Sequence, residues 1–334
     1  MRLLAGLLVL GSALAQSWVL RNSGVTASLR GLSAVNSRVV WASGTGGTWL
    51  RTVDAGAHWE HGAVAGIADL DFRGVRAFSA ADAILLSSGE GARSRIYRTA
   101  DGGAHWTLLF TNPDSKGFFD SVVCRTAKQC LVLGDAVNGR MTIFRTSDGG
   151  SHWRRERTPE ALPAEGAFAA SNSSLVIRGR KDAWFGTGGA RFARVFRSRD
   201  GGVTWAAVNT PVRGDGASAG IFSLAFRDSE NGIAVGGDYR KDKETTGNIA
   251  ITVDGGATWS VPPSGPRGFR SAVEYLPAMK VWITTGTSGS DVSRDGGKTW
   301  TQFDSGSFNV LSGLWAAGAS GRIAVFSLSA VQSR

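Results

Sequence analysis

Short apolar, β-branched runs alternate with glycine-rich polar breaks along the whole chain, and no stretch sustains the three-to-four-residue spacing of an amphipathic helix. The segment from 221 to 262 shows the pattern clearly. IFSLAF (Ile221 to Phe226) is followed by the turn RDSENG, then IAVGG, a polar loop, NIAITV, an Asp-Gly-Gly corner and TWSVP. This order predicts four antiparallel strands, with the corner between the third and the fourth.

The corner itself returns six times. The copies are TVDAGAHW, TADGGAHW, TSDGGSHW, SRDGGVTW, TVDGGATW and SRDGGKTW. Their acids are Asp54, Asp101, Asp148, Asp200, Asp254 and Asp295, at intervals of 47, 47, 52, 54 and 41 residues. Each copy ends in a tryptophan: Trp59, Trp106, Trp153, Trp205, Trp259 and Trp300. A period of about 40–50 residues is the length of one four-stranded propeller blade. Within the corner, Asp accepts bonds from nearby backbone N–H groups, Gly-Gly tolerates positive φ, and Trp offers a large apolar face to a neighbouring sheet. Ala55 replaces the first glycine in the first copy, which predicts that this position does not need positive φ.

These corners resemble the Asp-box, or BNR, repeat of sialidase-like β-propellers, over nearly the whole chain after residue 17. The resemblance implies architecture more than activity, because sialidases, xyloglucanases, sorting receptors and photosystem II assembly factors all carry the motif. A chain of this length with a box in nearly every blade is most similar to the photosystem II stability/assembly factor type. Six boxes account for six blades, ending near residue 305. The remainder, FNVLSGLWAAGASGRIAVFSL (Phe308 to Leu328), holds three strand-like runs and no box. The run SWVLRN (Ser17 to Asn22) offers a fourth, with Trp18 in place of a post-box tryptophan. The expectation is an all-β, seven-bladed propeller of four-stranded antiparallel blades, its seventh blade closed by the N-terminal strand, which removes exposed sheet edges at the seam.

The ends and the composition add a cellular setting. Residues 1–15, MRLLAGLLVLGSALA, have a basic start, an apolar stretch and a small-residue end, the layout of a signal peptide and too short to span a bilayer. Cleavage after Ala15 leaves residues 16–334 as a single exported domain, periplasmic or extracellular. Cys124 and Cys130 flank a five-residue turn and either form a disulfide or stand as two buried thiols; export favours the bridge. The chain carries 37 Lys and Arg against 27 Asp and Glu, a formal charge of +10. Such a surface favours acidic partners, an acidic protein face or an anionic glycan, and export argues against nucleic acid.

Strand parity locates a site. Turns joining the first and second strands, and the third and fourth, share the face with the boxes; second-to-third loops and blade connections share the other. That opposite mouth carries the irregular loops, and loops on a rigid scaffold commonly carry function. Candidate binding residues there are Arg95, Asp135, Arg140, Arg191, Asp238, Tyr239, Arg240 and Arg270. A hydrolase reading draws on Asp120, Asp135, Glu165 and Asp238 converging at the mouth, with Tyr239 as the one loop tyrosine of three. A sialidase-like triad is disfavoured because the Arg-Ile-Pro motif is absent. His58, His105 and His152 occupy equivalent corner positions and so do not converge on one ion, and the cysteine pair has no nearby histidine. No metal or cofactor is expected. The favoured reading is a non-catalytic, monomeric binding or assembly scaffold; the alternative is a glycan-active hydrolase.

Overall fold

A computed structural model describes residues 14–330. The expected leader falls outside these residues except for Leu14 and Ala15, which open the first strand, Leu14–Arg21. Seven antiparallel sheets form the blades of a propeller. Blades one to six follow the chain (29–63, 72–111, 119–156, 175–209, 219–252 and 272–304), and the seventh combines 310–330 with Leu14–Arg21. Consecutive first strands such as Leu29–Ala34 and Phe72–Ala77 lie against one another around the central channel.

The seam runs from Leu14 opposite Ala330 to Arg21 opposite Ile323. Trp18 anchors it, with ring centroids 5.4 Å from Phe308 and 5.5 Å from Phe326 and its indole N–H donated to Ser290 Oγ at 2.9 Å. Blade five departs from its neighbours. Its sheet has three strands, and the expected fourth survives only as a bridge between Ile251 and Ser260. Pro262 and Pro263 follow, and proline has no N–H to extend the pairing.

The corners are built alike. Thr52 Oγ1 donates to Asp54 Oδ1 at 2.8 Å, accepts from Gly56 N at 2.9 Å, and Asp54 Oδ1 accepts from His58 N at 3.0 Å. In the later copies a threonine hydroxyl replaces the imidazole, as Thr204 Oγ1 donates to Asp200 Oδ2 at 2.5 Å. One expectation fails here. Ala55 adopts φ +64°, so the position takes left-handed backbone even without glycine, held there by the same hydrogen-bonded corner.

Each corner tryptophan packs on the preceding blade. Trp59 meets Trp315 of blade seven at 5.7 Å, Trp106 meets Trp49 at 6.0 Å, and Trp153 stacks on Phe110 at 5.1 Å. Third-strand arginines reach forward instead: Arg51 donates to Ala80 O at 2.6 Å and Arg98 to Ala127 O at 3.2 Å. Apolar burial and these cross-blade bonds together fix the angle between blades. On the same face, Cys124 and Cys130 sit opposite each other in blade three and are joined by a disulfide.

Candidate functional site at the channel mouth

Four first strands begin with a β-bulge. Leu29 pairs with Gly44 and Gly31 with Ser43, which leaves Arg30 unpaired across the strand. Arg73, Asp120 and Phe222 occupy the same extra position in blades two, three and five. A bulge bends its strand and re-aims the extra side chain. All four residues line one cavity of about 510 Å³ at the mouth opposite the corners.

The connection between blades three and four completes the cavity. Ala167, Phe168, Ala169 and Ala170 line it. Asn172 anchors this segment to two first strands: its Oδ1 accepts from Val122 N at 2.8 Å, and its Nδ2 donates to Val122 O at 3.2 Å and Val75 O at 3.4 Å. Asn172 takes φ +57°, a conformation asparagine tolerates better than most residues. Glycine is required opposite it, because a Cβ on Gly74 would lie 2.6 Å from Asn172 Oδ1. Ser173 reaches blade five, with its Oγ 2.7 Å from Ser223 Oγ.

One side of the cavity is aromatic. Phe168 stacks on Phe222 at 3.9 Å, Phe269 meets Phe222 edge-on at 4.7 Å, and Tyr239 stands edge-on to both at 6.1 and 6.4 Å. Tyr239 is 45% exposed and forms the rim. The other side is charged. Arg73 pairs with Asp71 at 2.7 Å and reaches Ala169 O at 3.5 Å. Arg30 has no carboxylate partner among the described residues; burial lowers its pKa, the neighbouring Arg73 charge adds to this, and Asp71 opposes it. Asp120 is 1% exposed, and its Oδ2 is buried with no hydrogen-bond partner. Burial raises its pKa well above the ordinary value, the Asp135 charge adds to the rise, and Arg73 opposes it. Burial also raises Asp135, against one hydrogen bond from Ala167 N at 2.9 Å.

The sequence candidates divide. Asp120, Asp135 and Tyr239 line the cavity; Glu165 and Asp238 do not. Glu165 is buried in an ion pair with Arg194 and accepts from Thr187 Oγ1 at 2.6 Å and Leu162 N at 2.8 Å, so it braces its own loop. Asp238 caps the short turn Tyr239–Lys241 through Arg240 N at 3.0 Å. Burial pushes its carboxyl up, but hydrogen bonds from Ser218 and Arg240 N, with the Lys241 and Arg213 charges, outweigh that and hold it low. The expected convergence of four acids is therefore a convergence of two.

Among the expected basic residues, Arg270 is no surface group. It is fully buried in an ion pair with Asp291, with further bonds to Phe269 O at 2.8 Å and Ser288 Oγ at 2.9 Å. Arg140 is tied to Glu160 at 3.1 Å, and Arg95 to Ala92 O at 2.6 Å and Tyr97 Oη at 3.1 Å. Arg191 and Arg240 are exposed and lie over their neighbouring rings, Phe192 at 5.0 Å and Tyr239 at 6.0 Å.

Arg30, Arg73, Phe168, Phe222 and Phe269 escape a reading focused on the corners. A second repeat announces most of them: LRGL, FRGV, FDSV, IFSL and FRSA open the first strands of blades one, two, three, five and six. Its second position supplies every bulge residue and, in blade six, the buried Arg270. Among the described residues no group of three or more His, Cys, Asp and Glu side chains is placed to hold a metal ion. No helix there is long and apolar enough to cross a membrane.

No family model matches the chain, and no curated protein does. Solved structures are similar over nearly its whole length. A YCF48 bound to a D1 peptide superposes with a TM-score of 0.65 at 17% identity, covering 94% of this chain and 96% of that one. YCF48 from Cyanidioschyzon merolae gives 0.61 at 16% identity, with coverages of 93% and 98%. The WD40 β-propeller domain of Doa1 gives 0.59 at 13% identity, with coverages of 95% and 97%. At these identities the likeness establishes the seven-bladed propeller fold, which the chain shares with the YCF48 structures.

Proposed function

We propose that this protein is a non-catalytic binding or assembly propeller that seats a segment of a partner protein in its mouth cavity. The observation that carries the reading is the cavity itself: four bulge residues from four blades and an aromatic cluster face one open volume of about 510 Å³. That size suits a few residues of a bound chain. The similar YCF48 structure with a bound D1 peptide supports a propeller of this fold receiving a polypeptide. Arg191, Arg240 and Lys241 have no carboxylate ion-pair partner among the described residues and suit a partner whose acidic stretch crosses the rim. The leader-like N-terminus and the Cys124–Cys130 bridge support export to an oxidising compartment, and the reading takes the protein as a monomeric, BNR-type propeller.

A hydrolase reading rests on Asp120 and Asp135 facing one cavity. Neither has a histidine or a tyrosine hydroxyl bonded to it, and Glu165 and Asp238 are committed elsewhere. A peptide array followed by calorimetry on the best ligands tests the proposal. Phe222→Ala and Arg30→Ala are expected to weaken peptide binding about tenfold or more in variants that still melt cooperatively, with Phe222→Ala also lowering Tm because its ring is buried. Peptide binding indifferent to both variants overturns it. Turnover of a sialoside or β-glucan that vanishes in Asp120→Asn replaces it with the hydrolase.

A further inference from the structure

Resting on that mouth-cavity reading, we propose that Asp120 and Asp135 form an ammonium-recognition pair, and that the bound segment presents a primary ammonium group to them with its alkyl stem against Phe168 and Phe222. Asp120 is 1% exposed and its Oδ2 has no partner, whereas buried carboxyl oxygens are ordinarily hydrogen-bonded. Among the described residues no side chain of the wall is bonded to it. Arg73 is committed to Asp71 and Ala169 O. Asp135 is itself an acceptor, already holding the Ala167 N–H. A ligand in the cavity can supply the missing partner.

Charge decides which ligand. The cavity wall and its nearest partner carry Arg30 and Arg73 against Asp71 and Asp135, which cancel while Asp120 is protonated. Burial and the Asp135 charge favour that protonated form. An incoming ammonium that displaces the Asp120 proton keeps the sum at zero. A carboxylate would instead add an uncompensated negative charge beside Asp135, a costly change in a part-buried site. The aromatic side agrees, since ring faces attract cations and methylene stems alike. The exchange balances: Asp120 releases one proton to solvent, and the ammonium donates its hydrogens to Asp120 and Asp135. Arg30, Arg73, Asp135 and Tyr239 are the other charged or titratable groups lining the cavity, from blades one, two, three and five.

The test uses n-butylammonium, N-acetyl-lysine methylamide and butyrate as probes, by calorimetry in two buffers of different ionisation enthalpy. Both amines are expected to bind near neutral pH with net proton release, more tightly as pH rises, while butyrate does not bind. Asp120→Asn should weaken the amines about tenfold or more and abolish proton release. If that variant fails a melting check, Asp135→Asn serves in its place, with the same expected loss of affinity. Among array peptides, an acetylated lysine peptide and a lysine-free peptide with a free amino terminus tell the two ammonium sources apart. Preference for butyrate, or amine binding unchanged in both variants, overturns the ammonium assignment. Peptide binding lost in Phe222→Ala but kept in Asp120→Asn rejects the ammonium alone, whereas peptide binding unchanged in both rejects the mouth site as well.

Discussion

The two faces of this propeller are made by opposite uses of repetition. At the corners, six copies reproduce one bond, Ser or Thr Oγ donating to the Asp Oδ1 at 2.8 Å in every blade that has a box. At the mouth, the equivalent bulge position carries Arg30, Arg73, Asp120 or Phe222. Equal residues at equal positions produce a ring with no preferred direction. A site needs direction, so chemistry enters only where symmetry-related positions differ. The corners are frame, and the mouth is the face on which the proposed recognition would take place.

The strongest way to break this division is to open the frame that both faces share. Deleting residues 16–24 removes the outer strand of blade seven and Trp18 with it, and is expected to abolish cooperative melting together with all binding. A truncated protein melting within a degree or two of its parent would show that the ring does not depend on this seam. Next in size is Trp205→Ala. The ring is 9% exposed and lies 4.9 Å from Phe185, so its loss should cost about 3–5 kcal/mol in denaturant unfolding while peptide affinity stays unchanged. A stable variant that has lost its ligand would assign the corners to function.

The corners and the central channel should also answer pH with opposite signs. Burial pushes the Asp200 carboxyl up, but bonds from Thr204 and Ser198 outweigh it and hold the folded value at about 2, below the ordinary 3.8. A depressed carboxylate adds stability above its unfolded pKa, lost as pH falls through the folded one, so the corners should lose stability between about 3.8 and 2. In the channel, burial raises Glu274 from 4.5 to about 7, with the Arg76 charge opposing. A raised carboxyl penalises the folded state once the unfolded group ionises, so stability should decline from pH 4.5 to about 7. Melting curves across this range are expected to show that decline and to flatten in Glu274→Gln; an unchanged slope rules out the channel acid as its source.

Two smaller effects sharpen the contrast. Ala55→Gly relieves a left-handed alanine and should raise stability by about 1 kcal/mol, with no change in binding. Reversing Arg191 and Arg240 to Glu should weaken an acidic partner several-fold in low salt, and reversing Arg38 and Arg180, exposed on the corner face, should not. Equal losses from both pairs would mean that the charge acts diffusely.

Most of the fold was legible because its signals are local and periodic. Asp-Gly-Gly-x-x-Trp sets a corner wherever it stands, and Trp18 marks the closing strand by the same logic. The site was less legible because it depends on register. In FRGVRA taken alone nothing distinguishes Arg73 from any polar residue in an alternating strand; the repeat with LRGL, FDSV and IFSL marks the position, and the unpaired place between Phe72 and Gly74 turns it into the channel. Partner choice is equally remote from local pattern. Arg270 finds Asp291 across its own blade, and Arg194 finds Glu165 from the preceding connection, so two charges that looked available are spent. Blade five looked complete because TWSVP has strand composition, yet the two prolines after it stop the ladder at one bridge.

The pairing of Trp18 with Phe326 also sets an order of events in time. Every other strand pair lies within one stretch of chain of roughly blade length, whereas this one joins the two ends. Bringing such distant partners together costs about 5 kcal/mol of loop entropy for an unstructured chain of this length, against about 2 for a hairpin-scale loop. Blades that form first shorten the effective loop and lower that cost. The latch therefore engages last, and until it does the nascent protein is an open arc whose two ends each offer an unpaired strand to any neighbouring chain.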